Sequence, residues 1–335
     1  MGCSILGIDY HLPETVLTND QLAREFPDWD VAKAGRKVGI SRRHTAREGE
    51  TALDLGERAA ARVLGRTGAD VDFILFCTET PDHFIPPNAC LLQGRLGLGT
   101  SVGAYDYNLG CSGFVFGLAQ AKGLIAAGLA RRVLLVTADT YTRRINALDK
   151  GNRMIFGDGA SACVIGETPD EGIGRFAFGT DGTRAMSLAI PNGGFRNPAD
   201  PAAPLVGDDN GNARTANDLI MDGPGIFNFT LERVPELYAQ VLEGNGLAEG
   251  DLDHVVFHQA NQFMLQHLRM KMQIPQDKFV LDMDATGNTV SSSIPIVLKR
   301  LTERIEGPCR VLLAGFGVGL SWAGTVVKLG KQENP

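Results

Sequence analysis

Asp70-Val71-Asp72-Phe73-Ile74-Leu75-Phe76-Cys77 returns roughly 160 to 180 residues later as Asp251-Leu252-Asp253-His254-Val255-Val256-Phe257-His258. Each copy is an acidic lead into a short apolar run, the pattern of a buried strand. Three further echoes follow in the same order. Val102 to Asn108, closing at Gly110-Cys111, is matched by Phe279 to Asp284, closing at Gly287-Asn288. Arg132-Val133-Leu134-Leu135-Val136 is matched by Arg310-Val311-Leu312-Leu313-Ala314, and Gly157 to Val164 by Gly317 to Gly324. Any one echo is weak, but four in register describe a duplicated unit.

The strands alternate with helical stretches at Ala52 to Leu64, Ser112 to Gly128, Gly225 to Leu242 and Thr289 to Ile305. That alternation predicts an α/β fold in which mixed sheets sandwich helices. Ser112 to Gly128 carries a single charge, Lys122, and Thr289 to Leu298 carries none, so both helices are expected in the interior. Each follows a loop bearing Cys111 or Asn288, which become counterparts about an internal pseudo-two-fold. Gly193 to Asp218 has no counterpart, is rich in Pro, Asn, Asp and Gly, and reads as a surface loop or lid.

Composition narrows the function. The chain has 335 residues, 44% hydrophobic and 21% charged, enough for a large buried core. A net charge of -7 without a clustered basic face argues against nucleic acid as a partner. The six cysteines, at 3, 77, 90, 111, 163 and 309, have neither zinc-site spacing nor the density of a disulfide scaffold, so they read as reduced thiols of a cytoplasmic protein. The start lacks a secretory pattern, no run is long enough for a bilayer, and the histidines lack metal-ligand spacing. No Glu or Asp pair stands out as an acid/base dyad.

Three residues could carry chemistry. Cys111 lies in Asn108-Leu109-Gly110-Cys111-Ser112-Gly113-Phe114, a tight strand-to-helix turn where the helix dipole favours thiolate, although a buried inert thiol fits the spacing equally well. His258 ends an apolar strand and opens Gln259-Ala260-Asn261, a position where α/β sites form. Asn288 offers a donor amide at the mouth of a buried helix, where an N-cap or turn role is the alternative. Gly315-Phe316-Gly317-Val318-Gly319 lacks nucleotide-loop spacing. Its backbone amides at Gly317, Val318 and Gly319, with that of Cys111, could form an oxyanion hole.

Together with Phe156-Gly157-Asp158-Gly159-Ala160, these motifs resemble the β-ketoacyl-acyl-carrier-protein synthase III family of thiolase-like condensing enzymes. The resemblance runs from Ile5 to the final strand and takes in His258-Gln259-Ala260-Asn261, Gly287-Asn288-Thr289 and Gly315 to Trp322. It implies a five-layered αβαβα fold of two duplicated halves, 1–170 with the nucleophilic Cys and 171–335 with His and Asn, assembled as a homodimer. It also implies a Cys111-His258-Asn288 site that takes an acyl group from acyl-CoA or a carrier thioester. Malonyl-acyl carrier protein or malonyl-CoA would then be decarboxylated and condensed, with no metal and no further cofactor. Lys37 and Lys150 are the candidates for phosphate contacts, Asn261 for substrate binding, and Phe84 or Ile85 for the residue gating the primer at the dimer interface. Gly39-Ile40-Ser41-Arg42-Arg43-His44 is preceded by Lys37 and Lys33 where coenzyme-A-using members often carry Arg and Trp. The same triad would also suit transfer of the acyl group to an alcohol or amine, whereas a non-catalytic subunit would have no need of it.

Overall fold

The repeated runs build two sheets on one plan. The computed structural model describes residues 2–330; Met1 and residues 331–335, at the ends of the two expected halves, lie outside the described residues. In the first sheet the order is Gly2–His11, Gly159–Thr168, Arg132–Asp139, Phe73–Cys77 and Gly103–Tyr107. Its first two pairings are antiparallel and its last two parallel. The second sheet runs Ala177–Thr180, Ser321–Leu329, Cys309–Gly317 and His254–Phe257, antiparallel twice and then parallel. Position for position, the second repeats the first.

The one expected strand that fails to form is Phe279 to Asp284. It is reduced to a single parallel bridge between Val255 and Phe279. Beyond it the Asp282 amide donates to Gln259 Oε1 at 2.8 Å, and the Asp282 carboxylate pairs with Arg300 at 2.8 Å. These tertiary partners draw the chain away from the ladder at the position where the first half still pairs.

Helices fill the spaces between and around the sheets. Ala52–Thr67 covers the outer face of the first sheet, Gly113–Ala126 and Ser293–Thr302 lie between the sheets, and Gly223–Asn245 covers the second. The result is the five-layered αβαβα order. Ala52–Thr67 starts at a Thr51 capping box with Asp54 and stops at Gly68, which is left-handed at φ 58°. The first central helix is apolar nearly all round and the second is apolar up to its last turn, where Lys299 and Arg300 pair with Glu303 and Asp282: Phe114, Val115, Leu118, Ile294 and Leu298 are fully buried. Burying each such side chain contributes about 1.5–3 kcal/mol. Lys122, the one charge on the first of them, leaves the interior to meet Glu171 at 3.1 Å and the Gly174 carbonyl at 3.1 Å.

The stretch read as one helix from Thr289 to Ile305 is two elements, a 3-10 turn at Val290–Ser292 and the α-helix Ser293–Thr302. The Asn288 side chain accepts the Val290 amide at 2.9 Å, and Val290 takes a left-handed φ of 53°. Helical hydrogen bonding therefore begins only after the polar loop is set. The 193–218 segment holds a small hairpin pairing Val206–Gly207 with Ala213–Arg214, and its first residues line a cavity described below.

Candidate active site

Cys111 sits where the Gly103–Tyr107 strand turns into the Gly113–Ala126 helix and is only 6% exposed. The glycine loop from the other half lies directly against it. A Cβ on Gly317 would stand 2.8 Å from Cys111 Cβ and 2.9 Å from its Sγ, and one on Gly315 would stand 2.7 Å from the Cys111 carbonyl oxygen. Only glycine admits this approach. The two loops are also tied by hydroxyls, since Ser321 Oγ donates to the Val318 carbonyl at 2.8 Å and lies 2.7 Å from Ser112 Oγ. With its proton committed to Val318, Ser321 accepts from Ser112. The backbone of Val318 and that of Cys111 itself hydrogen-bond the thiol. Two of the expected oxyanion donors are thus at the sulfur, Gly317 lies beside it, and Gly319 faces Ser321 instead.

His258 follows the His254–Phe257 strand and Asn288 precedes the 3-10 turn, and both line the same cavity as Cys111. Each has its second polar atom fixed by the protein. His258 Nδ1 lies 2.8 Å from Ser293 Oγ, while Ser293 Oγ accepts the Gln259 amide at 3.3 Å. Ser293 Oγ, which accepts the Gln259 amide and has its own proton to give, suits the tautomer in which Nδ1 accepts and Nε2 carries the ring proton. Phe316 holds the ring edge-on, with centroids 5.9 Å apart. Asn288 Oδ1 is taken by the Val290 amide, which orients its NH2 group.

Burial governs the protonation states. It lowers the His258 pKa to about 3, with a smaller opposing contribution from the Val290 backbone, so the imidazole is neutral. It pushes the Cys111 thiol well above its ordinary value, and the Glu79 carboxylate adds to this, with a further contribution from Asp139. Desolvation and the two acidic neighbours thus oppose the partial positive charge expected from the helix that begins two residues later, at Gly113.

The remaining predicted residues divide. Asn261 lines the catalytic cavity and caps the next helix by accepting the Met264 amide at 2.9 Å. Lys37 stacks 4.3 Å over the Phe263 ring of that helix, whereas Lys150 lies 5.6 Å from Trp29. Phe84 and Ile85 lie apart from the triad, on a second cavity shared with Glu79, Tyr141, Val318 and Gly193. The sequence reading missed Ser293 and the acid pair Glu79–Asp139. The pair is joined by the Glu79 amide donating to Asp139 Oδ1 at 2.8 Å across a separation of 60 residues, which spacing could not reveal. The available signal was a lone acid just past the Phe73–Cys77 strand, the internal counterpart of the strand that delivers His258. Among the described residues no cluster of His, Cys, Asp and Glu could hold a metal ion, and no helix is long and apolar enough to cross a membrane.

Known proteins resemble this chain over nearly its whole length. Residues 105–182 match the family model for 3-oxoacyl-(acyl-carrier-protein) synthase III, and residues 242–329 match the model for its C-terminal part. A β-ketoacyl-(acyl-carrier-protein) synthase III of Oleidesulfovibrio alaskensis is 35% identical, covering 97% of this chain and 98% of its own. A crystal structure of a 3-oxoacyl-(acyl-carrier-protein) synthase III superposes with a TM-score of 0.95 at 45% identity, covering 98% of this chain and 100% of that one. The priming β-ketosynthase of the R1128 polyketide biosynthetic pathway superposes at 0.86 with 28% identity, over 99% of this chain and 97% of that one. With identity above 30% over nearly its full length, this chain belongs to the 3-oxoacyl-(acyl-carrier-protein) synthase III family of acyl-transferring condensing enzymes.

Proposed function

We propose that the chain catalyses decarboxylative Claisen condensation. Cys111 takes an acyl group from acyl-CoA or an acyl-carrier thioester, and a malonyl-type thioester loses carbon dioxide to give an enolate that attacks the acyl-Cys111 carbonyl. The observation that supports this best is that His258 and Asn288 flank one cavity with Cys111, each anchored by its far polar atom. That leaves a neutral Nε2–H and an Nδ2–H2 as donors for an enolate oxygen, and neither side chain brings a negative charge to oppose it. During acylation the Cys111 and Val318 amides would receive the thioester oxygen as it becomes an oxyanion.

Lys37, Lys150 and Asn261 are proposed to contact the incoming thioester. The functional form is proposed to be a homodimer located in the cytoplasm. Phe84, Ile85 and Phe195 are 75%, 85% and 94% exposed, and the rings of Phe84 and Phe195 pack 5.6 Å apart, an apolar ridge that a second copy would cover.

Intact-mass measurement after incubation with acyl-CoAs of increasing length, beside Cys111→Ser, tests the reading. A mass gain confined to the parent protein, then discharged by malonyl-carrier protein with release of carbon dioxide, is expected. Loading that an alcohol or amine discharges, and a malonyl thioester does not, would replace condensation by ester or amide formation.

A further inference from the structure

Glu79 is a buried acid that the condensation chemistry leaves without a task. Its Oε2 is buried and has no hydrogen-bond partner among the described residues. It presses against the turn before the nucleophile, because a Cβ on Gly110 would stand 2.4 Å from that oxygen. On its other side opens the second cavity, about 1100 Å³, where Glu79 is joined by Thr80, Asn108 and Tyr141. Cys111 lines the first cavity, and Val318, whose backbone bonds the Cys111 thiol, lines this one, so the second cavity lies next to the turn that holds the sulfur.

The neighbouring acid decides the state of Glu79. Asp139 collects the Glu79 amide and the Ser291 hydroxyl, each at 2.8 Å, and the Thr78 and Thr80 hydroxyls at 3.3 and 3.4 Å. Two neighbouring buried carboxyls do not readily both ionise, and the one surrounded by donors keeps the charge. Burial and the Asp139 charge push the Glu79 pKa up into the neutral range. A protonated Glu79 both donates and accepts, and although Tyr141 hydrogen-bonds the carboxyl, Oε2 has no partner among the described residues. Leaving such a buried atom unpaired is costly, and a ligand with a matching oxygen would recover that cost.

We propose that the primer carried on Cys111 is an oxygenated acyl group, with a hydroxyl or keto oxygen a few carbons from the thioester, and that Glu79 hydrogen-bonds that oxygen. This rests on Cys111 as the acyl carrier and adds a substrate class to it. A plain saturated chain would leave Oε2 unpaired, the situation in which a polar site rejects the analogue lacking the polar group.

The test is the rate of Cys111 acylation, read by intact mass, for hexanoyl-CoA, 3-hydroxyhexanoyl-CoA and 4-hydroxyhexanoyl-CoA, with the parent protein, Glu79→Gln and Glu79→Leu. At least one hydroxylated primer is expected to load about tenfold or more faster than hexanoyl-CoA on the parent. The ratio should shrink in Glu79→Gln, whose amide still bonds the oxygen, and fall to near one in Glu79→Leu. Equal or slower loading of both hydroxylated primers by the parent overturns the proposal, as does a preference that survives in Glu79→Leu. Failure of the parent to load any of the three would remove Cys111 as the carrier, and with it the reading beneath.

Discussion

Ser293 Oγ stands 2.8 Å from His258 Nδ1, and this contact anchors the imidazole at that nitrogen. Ser293 is a positioning residue and its loss should split the reaction into two halves. In Ser293→Ala, acylation of Cys111 is expected within about twofold of the parent while malonyl decarboxylation falls roughly tenfold to a hundredfold, less than the loss of a direct donor costs. Ser293→Thr, which keeps the hydroxyl, should recover most of the decarboxylation rate. Equal damage to both half-reactions would mean that Ser293 only supports the fold.

Asn288 offers a near-isosteric test of the donor role. In Asn288→Asp one oxygen can still accept the Val290 amide, now 2.9 Å from Asn288 Oδ1, so the loop should survive. The other position changes from a donor to a carboxylate oxygen facing the enolate. Decarboxylation is expected to drop by about 100- to 1000-fold, the size of losing an oxyanion donor, with loading retained. Carbon dioxide release from a labelled malonyl thioester measures it.

Gly317 brings the glycine loop of the second half against the Cys111 side chain. Gly317→Ala would place a methyl 2.9 Å from Cys111 Sγ, inside contact distance, so the sulfur or the loop must move. Loading from acyl-CoA is expected to fall by about a hundredfold, since a misplacement of about 1 Å costs that much in a positioned reaction. Retained loading would show that the Gly315 to Gly319 loop gives way without consequence.

How much of this was open to a reader of the sequence depends on whether the controlling contacts are local. Cys111, His258 and Asn288 stand at the ends of echoed runs, so their convergence follows once the repeat is seen. The same alternation misled at Phe279 to Asp284, where Asp282 and Asp284 mimic the polar face of a strand while Gln259 and Arg300 pull the chain out of the sheet. Glu79 and Asp139 meet only because neighbouring parallel strands end side by side, Phe73–Cys77 against Arg132–Asp139. Without that pair, and without the depth of burial, the charge state of Cys111 could not be read from its place before a helix.

That charge state has a chemical consequence. Cys111 and the exposed Cys90 give an internal comparison for alkylation by iodoacetamide. Cys90 should label first at pH 7, and the Cys111 rate should still be rising above pH 9, because burial, the Asp139 charge and, once it ionises, the Glu79 charge hold the thiol protonated. Peptide mapping across the pH series reads both sites. A Cys111 rate already level at pH 7 would mean a resting thiolate.

The buried neutral His258 should also leave a mark on stability. Its pKa is about 3 in the folded chain against 6.5 for the ordinary group, because burial penalises the charged ring. Above pH 6.5 neither state binds the proton, so the cost is absent. As pH falls from 6.5 towards 3 the unfolded chain takes up a proton that the folded chain refuses, and stability falls by about 1.4 kcal/mol per pH unit. His11, lowered to about 4 mainly by burial, acts in the same direction. The raised Glu79 and Asp139 act oppositely, since the folded chain then holds protons that the unfolded chain has released. The net slope is therefore a poor measure of any one group, whereas a difference between variants isolates His258. Urea midpoints for the parent and His258→Gln at pH 7 and pH 5 should converge at the lower pH. Parallel shifts of the two proteins would show that His258 takes up its proton in the folded chain over the same range as in the unfolded one, so that burial does not hold it neutral below pH 6.5.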